Sequence, residues 1–204
     1  MIAVIDYGAG NLHSVMNAIG YLGYQARITR RPEDISAARA VILPGVGAAG
    51  DAMSSLRELG LKEAILQLAA ENKPLLGICL GLQLFLTGTE EGGGNECFDI
   101  IPGKVKKLPD GLKIPHMGWN QVRQRFSHPL FEGIPDGTNF YFVHSYYADP
   151  EDKSVIAAET DYGKSFCCVI ARGNLLATQF HPEKSGDYGL RMYQNFFKLA
   201  GVAK

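Results

Sequence analysis

Two short stretches of this chain hold residue types that could do covalent chemistry together. Gly77-Ile78-Cys79-Leu80-Gly81 sets a thiol between two glycines in the pattern Gly-x-Cys-x-Gly, and Phe180-His181-Pro182-Glu183 places an imidazole two residues from a carboxylate. A thiolate can attack a carbonyl carbon, an imidazole can move the protons, and a carboxylate can fix the imidazole's tautomer. Cys79 is the candidate nucleophile, His181 its base and Glu183 the orienter.

The glycines have a steric purpose. Gly-x-Cys-x-Gly is the sulfur counterpart of the Gly-x-Ser-x-Gly elbow, in which a sharp strand-to-helix turn forces the nucleophile into a strained conformation. Neighbouring chain passes so close that the flanking positions tolerate little beyond hydrogen. A helix starting at this turn offers unpaired N–H groups and a positive dipole end, which favour a thiolate and a developing oxyanion. Leu80, next after the nucleophile, supplies one oxyanion donor in such elbows. A glycine-rich turn, Leu43-Pro44-Gly45-Val46-Gly47, ends another expected strand, and Val46 or Gly47 could supply the second. Gln83, four residues beyond Cys79, shares its helix face and could contact a bound amino acid. Glu90 and Glu91 could meet a substrate ammonium group, and Glu91 is favoured.

These groups need a scaffold that converges them. Ile2 to Asp6, a helical pattern through Leu12, Val15, Met16, Ile19 and Leu22, then QARIT and AVILP alternate strand and helix, which predicts a parallel sheet. A second helix is expected from about Ala52 to Ala70. Pro74 to Ile78 is wholly apolar, as suits a central strand covered by helices on both faces, so Cys79 falls at its C-terminal end, a usual place for ligands in such sheets. Beyond Gly92, EGGGNE reads as a loop, and short β-rich segments follow near VKKL, NQV, NFYFVH, SVIAAE, FCCVIA and LLATQF. His181 follows the last of these. A final helix is expected from about Tyr188 to Leu199. The expected fold is a single-domain α/β protein spanning 1–204, three layers deep, with a mostly parallel central sheet and added antiparallel strands.

Composition narrows the function. With 204 residues, 46% hydrophobic and 20% charged, one sizeable core is the default. A formal net charge of −1 advertises neither nucleic acid nor an anionic membrane surface. MIAVIDYGAGN has no basic leader, and no stretch is apolar enough to span a bilayer, so a cytoplasmic protein is expected. Cys79, Cys97, Cys167 and Cys168 lack the spacing of a zinc site or a disulfide framework, and no metal or cofactor is expected.

With GICLGLQL, PGVG and QFHPEKS in order, the sequence resembles the triad-type, class-I glutamine amidotransferases, a flavodoxin-like family. More narrowly, DYGAGN, PGVGAAG, PHMGWN (115–120) and YFVHSYYA (141–148) resemble the glutaminase subunits of imidazole glycerol phosphate synthases. That resemblance spans the chain. It implies hydrolysis of L-glutamine through a cysteinyl thioester, with ammonia passing to a separate (β/α)8 cyclase subunit in a heterodimer of histidine biosynthesis. It further implies that Gly47, Gln83, Glu91, Ser145 and Tyr146 contact glutamine, and that Asn11, Met117, Trp119 and Lys184 face the cyclase. Ala48-Ala49-Gly50 departs from the many relatives that carry an aromatic residue there, which bears on loop packing. The alternatives are a glutaminase serving another synthase (pyridoxal phosphate, GMP or anthranilate) and a non-catalytic regulatory module of the same fold. Replacing the nucleophile separates the last of these: Cys79→Ala is expected to abolish glutamate release while circular dichroism stays unchanged.

Overall fold

The computed structural model describes residues 1–203. Its first half alternates strand and helix: β1 (Ile2–Ile5), α1 (Leu12–Tyr21), β2 (Ala26–Thr29), α2 (Pro32–Ala37), β3 (Ala40–Gly45), α3 (Ala49–Glu58), α4 (Leu61–Ala70) and β4 (Leu75–Cys79). The elbow helix α5 (Leu80–Leu84) follows, then β5 (Leu86–Thr89), β6 (Asn95–Glu96), β7 (Ile101–Lys107), β8 (His116–Gln124), β9 (Thr138–His144) and β10 (Tyr146–Pro150). The chain closes with β11 (Ile156–Asp161), β12 (Ser165–Arg172), β13 (Leu175–Thr178) and α6 (Gly186–Leu199).

Strands run in the order β2-β1-β3-β4-β13-β12-β10-β7-β5-β6, with β11 joining β12 to β8 and β8 pairing with β9. From β2 to β13 every pairing is parallel. β12 runs antiparallel to β13 and begins the extension. Every residue of β1, β3 and β4 is buried, as their uninterrupted apolar sequences require of strands covered on both faces. Alternate residues feed two cores. Ala3, Ile5, Val41, Leu43 and Leu75 pack with Ile35, Met53, Leu56, Ile65 and Leu68 of α2, α3 and α4. Ile2, Val4, Ile42, Leu76 and Ile78 pack with Val15 and Ile19 of α1 and with Met192, Phe196 and Phe197 of α6. The molecule is thus a single-domain, three-layer α/β fold. Cys167 joins the first core and Cys168 the second, as adjacent residues of a strand must.

Some boundaries differ from the sequence pattern. The helix expected over 52–70 is two helices, α3 and α4, because Gly60 takes a left-handed conformation (φ 66°) and breaks the hydrogen-bond ladder. α5 is only five residues long, so its dipole is small and the nearby N–H groups carry most of the elbow's effect. β5, β6 and β10 are not legible in the sequence, while the final helix begins two residues early, at Gly186.

β4, α5 and β3 lie in unusually close contact. A Cβ on Gly81 would sit 2.1 Å from the Leu43 carbonyl oxygen, and one on Gly77 would sit 2.8 Å from the backbone of Gly81. Both glycines are there for space. Gly81→Ala is expected to cost about 2 kcal/mol and lower Tm by roughly 5 °C in a thermal melt. Gly20→Ala, in exposed helix with nothing within 4 Å of the added methyl, is expected to leave Tm unchanged or raise it.

Candidate active site

Cys79 ends the central strand and opens α5 with φ 55° and ψ −103°, a conformation that non-glycine residues rarely adopt. Its register partners at the strand end are Gly45 of β3 and, one residue earlier, Thr178 of β13 against Ile78. The three strand ends therefore open on one edge, where the chain beyond β3 supplies Val46 and Gly47 and the chain beyond β13 supplies His181. Cys79 does not project into open solvent: it is 6% exposed and faces a pocket of roughly 300 Å³.

His181 Nδ1 lies 2.7 Å from Glu183 Oε1, and both side chains are almost completely buried. In a fully extended chain, residues two apart would share a side, but the chain here is not extended throughout. His181 itself is extended, but Pro182–Lys184 form a 3-10 turn that folds the carboxylate back onto the ring. Tyr193 Oη adds a hydrogen bond to Glu183 Oε2 at 3.5 Å. The backbone is pinned as well. The His181 N–H donates to the Tyr141 carbonyl at 2.9 Å. The Ser185 hydroxyl donates to the His181 carbonyl at 2.6 Å and accepts from the Tyr141 N–H at 3.0 Å.

The other ring nitrogen, Nε2, is buried without a hydrogen-bond partner of regular geometry, yet it lies close enough to Cys79 to feel the sulfur strongly. Burial alone would push the imidazole's pKa down, but the sulfur on one side and Glu183 on the other outweigh it and raise the value to about 10. The site therefore favours an imidazolium at neutral pH, which suits a thiolate beside it.

The pocket is lined by Val46, Gly47, Cys79, Leu80, Gln83 and Glu91 on one side and by Pro115, Val143, His144, Ser145, Tyr146 and His181 on the other. Of the residues expected at the oxyanion or substrate positions, all but Glu90 are present; Glu90 instead accepts from the Lys107 N–H at 3.2 Å. Gly47 sits at φ 91°, a conformation that favours glycine. Glu91 does more than line the wall. Its Oε2 accepts from the Ala49 N–H at 2.7 Å, capping α3, whose preceding residue Ala48 has no side chain able to do so. That bond, with Gly50 close against the Asn95 side chain, holds the Ala48-Ala49-Gly50 segment at the start of α3 without an aromatic residue. Gln83 is 6% exposed, and its Nε2 donates to the Tyr146 carbonyl at 2.9 Å and to Gln179 Oε1 at 3.2 Å, leaving its oxygen for a ligand.

The four remaining candidates are at or near the surface. Asn11 caps α1, accepting from the Ser14 N–H at 3.4 Å. Met117 and Trp119 on β8 are 61% and 59% exposed. Trp119 meets the Tyr141 ring edge-on at 6.2 Å, and Lys184 Nζ lies 5.9 Å from that ring's centre. Sequence spacing does not point to Gln179, Ser185 or the buried pair His116 and His144. Single polar residues have no period to betray them, although Gln179 and Ser185 flank the FHPEK segment.

A family model for class-I glutamine amidotransferases matches residues 3–200. The chain belongs to that family. Within it, the chain is 62% identical over 200 residues to imidazole glycerol phosphate synthase subunit HisH of Dehalococcoides mccartyi strain CBDB1, covering 98% of each. It is 54% identical over 198 residues to the HisH subunit of Moorella thermoacetica, covering 97% of this chain and 94% of that one. This amidotransferase therefore falls in the HisH branch. A solved glutamine amidotransferase superposes with TM-score 0.76 at 20% identity, covering 99% of this chain and 100% of that one. The structure of PurLQS from Thermotoga maritima gives 0.75 at 16% identity, covering 97% of each chain. Those two likenesses establish the fold. Among the described residues, no helix is long and apolar enough to cross a membrane.

The raised His181 pKa sets a pH window. Since the folded value exceeds the ordinary 6.5, the imidazolium adds stability that is fully present below about pH 6.5 and lost as pH rises through about 10. By NMR of ring-labelled histidine, His181 is expected to remain protonated at pH 8. Cys79→Ala should lower its titration midpoint, because the larger of the supporting partners is gone while burial remains.

Proposed function

We propose that this chain is the glutaminase subunit of an imidazole glycerol phosphate synthase, with Cys79, His181 and Glu183 as its catalytic triad. The observation that carries the proposal is the buried imidazole held at 2.7 Å by Glu183 with its free nitrogen toward the Cys79 sulfur. The Cys79 thiolate attacks the side-chain carboxamide carbon of L-glutamine, and the carbonyl oxygen becomes an oxyanion. The Leu80 N–H and an N–H of the Val46-Gly47 turn hold that charge, each donor contributing about 3 kcal/mol to the transition state.

Collapse breaks the C–N bond, the His181 imidazolium gives its proton to the departing nitrogen, and ammonia leaves a glutamyl thioester on Cys79. Water then attacks the thioester with its proton passing to His181, and the tetrahedral intermediate expels the thiolate and glutamate. The free oxygen of Glu91 faces the substrate's α-ammonium group, and the Gln83 oxygen accepts from it or from the carboxamide. Ser145 and Tyr146 form the opposite wall.

Ammonia released into water is lost to synthesis, so it passes to a (β/α)8 cyclase subunit in a heterodimer working in the cytoplasm. The exposed Met117 and Trp119, with Lys184 and Asn11, supply the docking face beside the triad, its Trp and Met being residue types enriched at interface centres. The HisH relatives at up to 62% identity favour this synthase over those making pyridoxal phosphate, GMP or anthranilate.

The test measures glutamate release with and without a histidine-pathway cyclase and its ribonucleotide substrate. The cyclase is expected to stimulate wild-type turnover. Glu183→Gln, which can no longer hold the imidazolium, should lower kcat of the complex by about a hundredfold or more with little change in KM. A lack of stimulation would remove the synthase assignment, and full activity in Glu183→Gln would remove the triad.

A further inference from the structure

A buried polar chain converges on one wall of the pocket and ends at the nucleophile. The Tyr146 carbonyl receives two hydrogen bonds, from Gln83 Nε2 at 2.9 Å and from His144 Nδ1 at 2.8 Å. A carbonyl only accepts, so both partners must present N–H to it, and that choice sets every group behind them. On one side His144 is left with Nε2 as acceptor, so His116 Nδ1 donates to it at 2.9 Å and His116 Nε2 accepts from Asn120 Nδ2 at 3.2 Å. Both imidazoles are held neutral, since burial lowers their pKa values to about 3 and about 4.

On the other side, the second N–H of Gln83 must meet an acceptor, which is Gln179 Oε1 at 3.2 Å. The Gln179 amide is thereby oriented with its NH2 group toward Cys79, and Nε2 lies 3.7 Å from Sγ. Gln179 has no solvent exposure, and its backbone N–H is anchored to the Cys168 carbonyl at 2.8 Å. The sulfur's own hydrogen bond goes to the Val143 carbonyl at 3.8 Å, whose negative end favours the neutral thiol.

From this geometry we infer that Gln179 is a further catalytic residue: its carboxamide donates to Cys79 Sγ and holds the sulfur as thiolate, oriented by Gln83 and the Tyr146 carbonyl. A hydrogen bond to the charged form of a group stabilises that form, and burial strengthens it. The amide offsets the opposing Val143 carbonyl. The titratable groups acting on the sulfur from the surrounding elements are His181 after β13 and Tyr7 after β1. His144 at the end of β9 and Glu91 after β5 line the same pocket. Unlike all of these, Gln179 carries no charge at any pH, so its effect moves the sulfur's titration without adding one of its own.

The inference rests on Cys79 being the nucleophile, and its test does not require glutamine to be the substrate. Alkylation of Cys79 by iodoacetamide, located by peptide mass mapping, is followed from pH 5 to 10 in the full chain, in Gln179→Met and in Gln179→Glu. Gln179→Met keeps length and bulk but has no donor, and should raise the thiolate midpoint by about one pH unit, a tenfold loss of thiolate at limiting pH. Gln179→Glu sets a carboxylate beside the sulfur and should raise it further. In glutamine hydrolysis, Gln179→Met should lower kcat about tenfold with KM within about twofold. An unchanged midpoint in Gln179→Met, whatever its melting temperature, would make Gln179 a packing residue and overturn the inference. A wild-type protein that alkylates normally but releases no glutamate would instead count against the glutaminase proposal alone.

Discussion

The close approach of α5 to β3 is the constraint on which the site depends. Gly81 lies so near the Leu43 carbonyl that a single methyl group would occupy the same space, and this proximity forces the chain to reverse at Cys79 with φ 55°. The strained turn persists because β3, β4 and β13 are locked in parallel register and buried on both faces. Relaxing it would turn the sulfur away from His181 and move the Leu80 N–H from the pocket. Backbone strain at Cys79 is thus sustained by the apolar core beneath it.

Around that turn, charge is arranged by burial and hydrogen bonding more than by formal charges on the protein. One imidazole, His181, is held cationic between a sulfur and a carboxylate, while two others, His116 and His144, stay neutral a short distance away because burial acts on them with no anion to oppose it. Had His144 been cationic, it would repel His181 across the same pocket and could not accept from His116. The neutral pair instead fixes the Tyr146 carbonyl, which aligns Gln83 and, through it, the Gln179 side chain that reaches the sulfur. Glu91 is likewise shared: one of its oxygens caps α3 while the residue lines the pocket. The pocket wall and the start of α3 are therefore coupled through one carboxylate.

How far the sequence speaks for itself depends on the kind of residue. Pro74 to Ile78 reads as a central strand because unbroken apolar sequence has no solvent-facing side, and Cys79 and His181 follow from their places at strand ends. Gln179 and Ser185 are illegible, since a lone buried polar residue has no period and its partners lie far away in the chain, at Gln83 and Tyr141. The break at Gly60 hides within a sustained apolar pattern that both α3 and α4 continue. β5, with its exposed Thr87, and the two-residue β6 exist because long-range pairing holds them, which local propensity does not encode. Spacing alone leaves the path between His181 and Glu183 open; a 3-10 turn over Pro182–Lys184 bends the chain and brings the carboxylate to the imidazole.

Whether sulfur, imidazole and carboxylate act as one unit is tested most directly by trapping the covalent state. The complex with its cyclase, acid-quenched during turnover of glutamine and digested, should yield a glutamyl adduct on the peptide bearing Cys79 and on no other cysteine peptide. Steady glutamate production with an adduct elsewhere, or with none in a quench fast enough to catch a thioester, would contradict the account.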